Sequence, residues 1–212
     1  MAQTSSISRS MGGIAVLIPA AGASRRMRGT DKLLMDIGGI CLLRRQAEAA
    51  LAAADHVAIT IPGHRHPRAK ALAGLPVQIV EVPDSDLGMS SSIRRGVGFL
   101  PRDLDGVMIL PADMPEITTA DITEVIQAFR NVPRPTIQQA VTADGTPGHP
   151  VLFPADCFPA LQALSGDMGA KAVLKANIHR VRQVPLAGQR ALVDLDTPEA
   201  WAEWQAAQQA AE

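Results

Sequence analysis

Short apolar runs alternate along the chain with longer stretches in which apolar positions recur every three or four residues. Ile14–Ile18 is unbroken and apolar, the pattern of a strand covered on both faces. Cys41–Ala54 is rich in Ala and Leu, carries Arg44 and Glu48 four positions apart, and reads as a helix. Val57–Ile61 predicts a second strand, stopped by Pro62-Gly63, and residues 65–73 a second helix. Val77–Val82 is the third strand. Ser90–Leu100 is a helix with Ile93, Val97 and Leu100 on one face, and Gly106–Leu110 is the fourth strand. Thr118–Phe129 is the clearest helix. Thr118 and Asp121 form a capping-box pattern, and Ile122, Val125, Ile126 and Phe129 keep helical spacing.

This β-α-β-α order predicts an α/β fold, a parallel sheet with helices on both faces. Right-handed crossovers and one reversal of strand order set the first and fourth strands side by side. The loop after Ile18 and the loop after Leu110 then face each other at the carboxyl ends of those strands, where such folds bind ligands. Beyond residue 130 the Pro- and Gly-rich pieces NVPRP and ADGTPGHPVLFP predict hairpins and loops in place of another plain βαβ unit. Ala191–Val193 reads as a short strand, and Thr197 with Pro198 as the start of a last helix. Residues 1–12 are small and polar, a frayed tail ahead of a single domain over 13–212.

Composition narrows the function classes. Aromatic residues are 3 % of the chain, with no Tyr, so there is little on which single-stranded bases could stack. The net charge of −1 provides no overall basic field for nucleic acid or an anionic membrane. Cys41 and Cys157 cannot make a disulfide framework, which points to a reducing cytoplasm. No apolar run approaches the ~20 residues of a membrane span. Arg9, Ile14–Ala21 and Ala21-Gly22-Ala23 imitate a signal peptide, but the apolar run is short and the basic region holds a single Arg.

Candidate chemistry begins after the first strand. Pro19-Ala20-Ala21-Gly22-Ala23-Ser24 is a turn of small residues, followed by Arg25, Arg26, Arg28 and Lys32. Small residues let backbone N–H groups approach a ligand, and successive N–H groups make an anion-binding concavity. Arginines and a lysine beside it suit several phosphate oxygens at once. The stretch is neither a Walker A loop nor the G-x-G-x-x-G dinucleotide fingerprint. Its plain alternative is a strand-to-loop turn with solvated arginines. Asp113, in Pro111–Pro115, follows the fourth strand and suits Mg²⁺ shared with substrate phosphates, or else caps a turn. Asp194 and Asp196 are further acidic candidates. In an extended segment only one of them faces the site, so Asp194 is assigned to the metal and Asp196 to capping the last helix. Ser90, Ser91 and Ser92 open a helix and can meet an anion or a base edge. His64 and His66 lack the companions of a zinc site. Gly166–Lys171 reads either as a helix start capped by Asp167 or as an acceptor-phosphate loop using Lys171.

Taken together, the first loop, GMSSSIRRG (88–96), PADMP (111–115), GTPGHPVLF (145–153), GDMGAK (166–171) and DLDTPEA (194–200) resemble, in order, the motifs of the small nucleotidyltransferases that act on the molybdenum cofactor. The similarity runs from about residue 13 to residue 204 and is strongest to the cytidylyltransferases among them. It implies a three-layer α/β/α, Rossmann-like nucleotide-sugar-transferase fold and a Mg²⁺-dependent reaction. In it the terminal phosphate of molybdopterin attacks the α-phosphate of a nucleoside triphosphate and pyrophosphate leaves. By resemblance, Pro19, Ala20, Ala21, Gly22, Ala23 and Ser24 hold the nucleotide, with Ser90, Ser91 and Ser92 on the same side. Arg26 and Lys32 hold phosphates, and Asp113 holds Mg²⁺ with Asp194 and Asp196 nearby. Gly148, His149, Asp167 and Lys171 lie toward the acceptor. Residues 13–130 form the nucleotide-binding half and 131–212 the acceptor-binding half.

Family members with P-A-A-G in the first loop use CTP and those with L-A-G-G use GTP, so Pro19-Ala20-Ala21-Gly22 implies CTP. Arg28 departs from the pattern, which has Gly after R-M; it either shifts the loop by one residue or adds a cation at the phosphates. A phosphate monoester is largely a dianion at pH 7, so alignment and charge neutralisation suffice without a strong base. The implied partners are CTP, molybdopterin and a molybdenum hydroxylase of the xanthine dehydrogenase type or its chaperone, with no nucleic acid and no membrane. The alternatives are GTP as donor, another acceptor such as methylerythritol phosphate or a sugar phosphate, or a non-catalytic cofactor carrier.

Overall fold

Alternate residues of Ile14–Pro19, strand β1, serve two separate cores. Ile14, Val16 and Ile18 pack on one face and Ala15 and Leu17 on the other, all fully buried. The computed structural model describes residues 12–23, 25–132, 134–166 and 169–211. The tail expected over 1–12 therefore lies outside the described residues except for Gly12, and Ser24 and Asp167 lie outside them as well.

After β1 come a two-stranded ribbon, β2 (Asp36–Ile37) and β3 (Ile40–Cys41), helix α1 (Leu42–Leu51), β4 (His56–Ile61), α2 (Pro67–Ala71) and β5 (Gln78–Glu81). The chain continues through α3 (Met89–Phe99), β6 (Gly106–Ile109), α4 (Thr119–Arg130), β7 (Ile137–Val141) and β8 (Pro147–Pro154). It closes with α5 (Phe158–Gln162), α6 (Lys171–Ala176), β9 (Val181–Pro185) and α7 (Pro198–Ala211). Seven strands form one sheet in the order β5-β4-β1-β6-β8-β7-β9. Only β8 runs against the others. Buried residues of α1, α4 and α7 cover one face, and those of α3, α5 and α6 the other. The result is the expected three-layer α/β/α sandwich with a mostly parallel sheet.

Strand order reverses between β1 and β6, which pair in parallel, so the two loops leaving their carboxyl ends are neighbours as the pattern predicts. Gly96 on α3 allows close approach to β1, since a Cβ there would lie 2.4 Å from Cδ1 of Leu17. The capping box at Thr118 and Asp121 is present and starts α4. Several elements escaped the periodicity, among them the β2–β3 ribbon, α5 and β9. The β2–β3 ribbon turns at Gly38 (φ 65°) and Gly39 (φ 94°), a left-handed pair suited to a two-residue hairpin. Edge strand β9 is polar at Arg182 and Gln183, which hides it from an apolar search.

One expectation is corrected. Ala191–Val193 is not a strand, because the N–H groups of Leu192 and Val193 both bond back to the Gln189 carbonyl, at 2.8 and 3.2 Å. The Ala191 carbonyl instead accepts from the His149 N–H at 2.9 Å. The chain turns there and sends residues 194–196 over the end of the sheet.

Candidate functional site

The loop leaving β1 stays close to the sheet because the Ala20 N–H donates to the Thr60 carbonyl of β4 at 2.9 Å. It then runs through two short 3-10 turns, Arg25–Met27 and Lys32–Leu34. Met27 and Leu33 are buried and anchor these turns in the core. Asp31 caps the second turn, accepting from the Leu33 N–H at 3.1 Å. Lys32 is thereby held at the start of that turn, and Arg26 stays exposed on the first.

On the opposite side, the Leu110 N–H bonds to the Leu17 carbonyl and carries β6 toward Asp113. Buried Gln46 of α1 donates Nε2 to the Met114 carbonyl at 2.6 Å and so holds the Pro111–Pro115 bend from behind. The Leu195 N–H donates to the Asp113 carbonyl at 3.0 Å, which draws the segment before α7 alongside.

These loops bring charges together from distant parts of the chain. Lys32 Nζ bonds to the carboxylate of Asp113 and to Asp196 Oδ1 at 2.5 Å, and Arg26 Nη2 lies 2.7 Å from Asp196 Oδ2. One carboxylate oxygen from each of Asp113, Asp194 and Asp196 lies within 4.8 Å of the others. Burial, the largest single influence, pushes the Lys32 ammonium down, yet Asp113 and Asp196 together hold its pKa above the ordinary lysine value. Burial likewise pushes Asp196 up, but Lys32 and Arg26 outweigh it and leave the carboxyl below its usual value. Asp194 moves the other way, raised by burial and then by the like charges of Asp196 and Asp113.

The expectation that only one of Asp194 and Asp196 faces the site does not hold, because both line the same cleft. Asp196 is tied to Lys32 and Arg26, and the last helix is capped by Thr197, whose hydroxyl accepts from the Ala200 N–H at 3.2 Å. Three carboxylates against two cations leave an excess of negative charge. Oxygen-only ligands in that number fit a hard divalent cation, and this is the sole such cluster among the described residues. His64 and His66 join no metal-binding group; His66 Nδ1 instead accepts the Arg68 N–H of α2.

The charges line a cleft of about 670 Å³, within the range of small-ligand sites. Pro19, Ala20, Gly22, Ala23, Arg26 and Lys32 line it from the first loop, Ser92 from α3, and Asp113 from the β6 loop; His149, Asp194 and Asp196 line it from the second half. Ala21 lies outside it and lines a smaller neighbouring cleft. Ser90 and Ser91 are buried away from it, and Ser90 Oγ donates to the Ser165 carbonyl at 3.4 Å. Gly148 is likewise outside the lining; a Cβ there would sit 2.0 Å from the Ala191 carbonyl oxygen. Lys171 also lies outside, though its charge adds to the burial that depresses the His149 pKa, against the opposing pull of Asp113. His149 Nδ1 is buried and has no hydrogen-bond partner among the described residues. Arg28 takes a left-handed conformation (φ 50°) and pairs with Glu199 of α7 at 2.7 Å, so it does not join the cleft.

Sequence reasoning missed Ser85, Asp86 and Leu192, which also line the cleft, and the supporting residues Gln46 and Arg68. The turn-forming residues Asp84, Ser85 and Asp86 between Pro83 and Gly88 were the available signal for the first two.

Among the described residues no helix is long and apolar enough to cross a membrane. Compared with known proteins, the chain is 28 % identical over 197 residues to the purine catabolism protein PucB of Bacillus subtilis (strain 168), covering 85 % of this chain and 90 % of that one. It is 29 % identical over 121 residues to the bifunctional protein GlmU of Leifsonia xyli, covering 55 % of this chain but spanning only 25 % of GlmU. Among solved structures, the Rv0371c homologue from Mycobacterium sp. strain JC1 superposes with a TM-score of 0.81 at 27 % identity, over 94 % of this chain and 98 % of that one. Rv0371C of Mycobacterium tuberculosis H37Rv in complex with manganese shares the fold, with a TM-score of 0.74 at 24 % identity, over 90 % and 97 % of the two chains. Residues 16–182 match the MobA-like NTP transferase domain. The chain therefore belongs to the MobA-like NTP transferase domain family.

Proposed function

We propose that the protein transfers CMP from CTP to the terminal phosphate of molybdopterin, releasing pyrophosphate, with Mg²⁺ as the metal. The observation that carries this reading is the meeting of Lys32 and Arg26 with Asp113 and Asp196 across one cleft at the ends of β1 and β6. Such an arrangement suits a polyphosphate and a divalent cation bound together. The Pro19–Ala23 turn holds the nucleotide, with Ser92 on the same side. Lys32 and Arg26 exchange their carboxylate partners for phosphate oxygens. Asp113, Asp194 and Asp196 hold the cation. When bound, Mg²⁺ offsets the charge of the triphosphate and of the departing pyrophosphate.

The acceptor phosphate oxygen forms one P–O bond to the α-phosphorus as the bond from that phosphorus to the β-phosphate bridging oxygen breaks. No proton need be removed from the acceptor, because its phosphate is largely a dianion. That agrees with the depressed pKa of His149, which favours a neutral imidazole suited to orienting the acceptor. Residues 13–130 then supply most of the nucleotide site and 131–212 the acceptor side. The name of PucB, a purine catabolism protein, supports delivery of the product to a hydroxylase of the xanthine dehydrogenase type.

The test is pyrophosphate release by the purified protein with Mg²⁺ and molybdenum cofactor, comparing CTP, GTP, ATP and UTP. Release with CTP alone is the expected outcome. Release with GTP would overturn the reading of Pro19–Gly22 as the selector of the base. No release with any triphosphate would overturn molybdopterin as acceptor, and screening phosphorylated sugars and polyols would follow. Tight cofactor binding without release would support a carrier.

A further inference from the structure

Arg68 is only 2 % exposed, yet it sits on α2, a helix that supplies no residue to the large cleft. Its guanidinium reaches away from its own helix to the first loop. Nε and Nη2 bond to the two carboxylate oxygens of Asp31 at 2.8 and 2.7 Å. Nη1 bonds to the carbonyls of Ala20 and Gly22 at 2.6 and 2.8 Å. One side chain therefore grips both ends of the segment 20–31. Peptide planarity makes the consequence definite. With the Ala20 and Gly22 carbonyls turned onto Arg68, the N–H groups of Ala21 and Ala23 point away from it. The far end is set as well, because Asp31 also caps the turn that begins with Lys32. α2 does not need this side chain for its own start, which His66 caps.

We infer that Arg68 is a positioning residue for nucleotide binding. It clamps the loop from behind and so sets Ala23, on the wall of the cleft, and Lys32 for the phosphates. The inference rests on the nucleotide reading of the cleft. Only a planar fork can hold a carboxylate and two carbonyls together. A lysine would keep the charge and lose the geometry.

The experiment compares wild type with Arg68→Lys and Asp31→Asn, the second covering the case in which the first fails to fold. Hydrogen exchange without nucleotide is read first. The expected result is faster exchange over residues 20–31 in both variants, with the strands unchanged. Unchanged exchange in the loop would overturn the clamp. CTP binding and steady-state kinetics are read next. The expected result is weaker CTP binding, by roughly tenfold to a hundredfold, with a matching rise in KM for CTP and little change in KM for the acceptor. A purely structural strut would lower the melting midpoint and leave the CTP affinity of the folded protein intact, and that result would overturn the positioning role. A wild-type protein that binds none of CTP, GTP, ATP and UTP would overturn the nucleotide reading itself, while the exchange data would still report on the clamp.

Discussion

Two segments bring charge into the cleft, and they are held in opposite ways. Residues 20–32 are secured by side chains: the Arg68 fork behind, Asp31 at the end, and Met27 and Leu33 sunk in the core. Residues 189–196 also sink Ala191 and Leu195 into the core, but their polar ties are mainly backbone. The Ala191 carbonyl accepts from His149, the Leu195 N–H donates to Asp113, and Gly148 lies against Ala191 with no room for a side chain. A longer ion pair of 3.3 Å joins Arg190 to Asp121 at the start of α4. The cation-bearing loop therefore depends on one buried charge pair, whereas the carboxylate-bearing segment depends on close steric fit. Each should fail by its own route.

The largest effect is expected where the two segments meet. Asp113→Asn removes a carboxylate that serves both Lys32 and the proposed metal, and turnover should fall on the order of a hundredfold to a thousandfold with the circular dichroism spectrum preserved. Arg68→Met should come next. It leaves Asp31 and two carbonyls without their partner, at a cost of about 2–4 kcal/mol in denaturant unfolding. Gly148→Ala attacks the other segment by crowding, should cost about 1–3 kcal/mol, and should raise KM for the acceptor without loosening residues 20–31. If Gly148→Ala weakened CTP binding as much as Arg68→Lys does, the contrast between the two segments would be lost. The smallest effect belongs to Arg28→Gly. Relief of a left-handed backbone offsets the lost surface pair with Glu199, so both melting midpoint and activity should stay close to wild type.

The parallel half of the fold was legible because its strands are short, mostly apolar runs followed by Pro, and because a β-α-β order leaves few topologies. The small-residue turn and Asp113 were legible for the same reason, as each follows directly on such a strand. The pairing of the acidic residues was not. Alternation along an extended strand is a sound rule, but residues 191–193 turn back on Gln189, a local bond with no clear mark in the sequence. Arg68 was invisible for another reason. In His66-Pro67-Arg68-Ala69-Lys70 it looks like any solvated helix charge, and its partners lie 37 to 48 positions away. Burial of a charge is decided by tertiary neighbours, and local pattern carries no record of them.

The central claim is that the two segments together form one site for a divalent cation and a triphosphate. Its most direct test is Mn²⁺ binding measured by electron paramagnetic resonance, with and without CTP, in wild type and in Asp113→Asn. Lys32 bonds to two of the three carboxylates, so it competes with a cation for them, and phosphate oxygens would draw it away. The account therefore expects weak Mn²⁺ binding alone, much tighter binding with CTP, and loss of that gain in Asp113→Asn. Mn²⁺ binding that is indifferent both to CTP and to the substitution would contradict it.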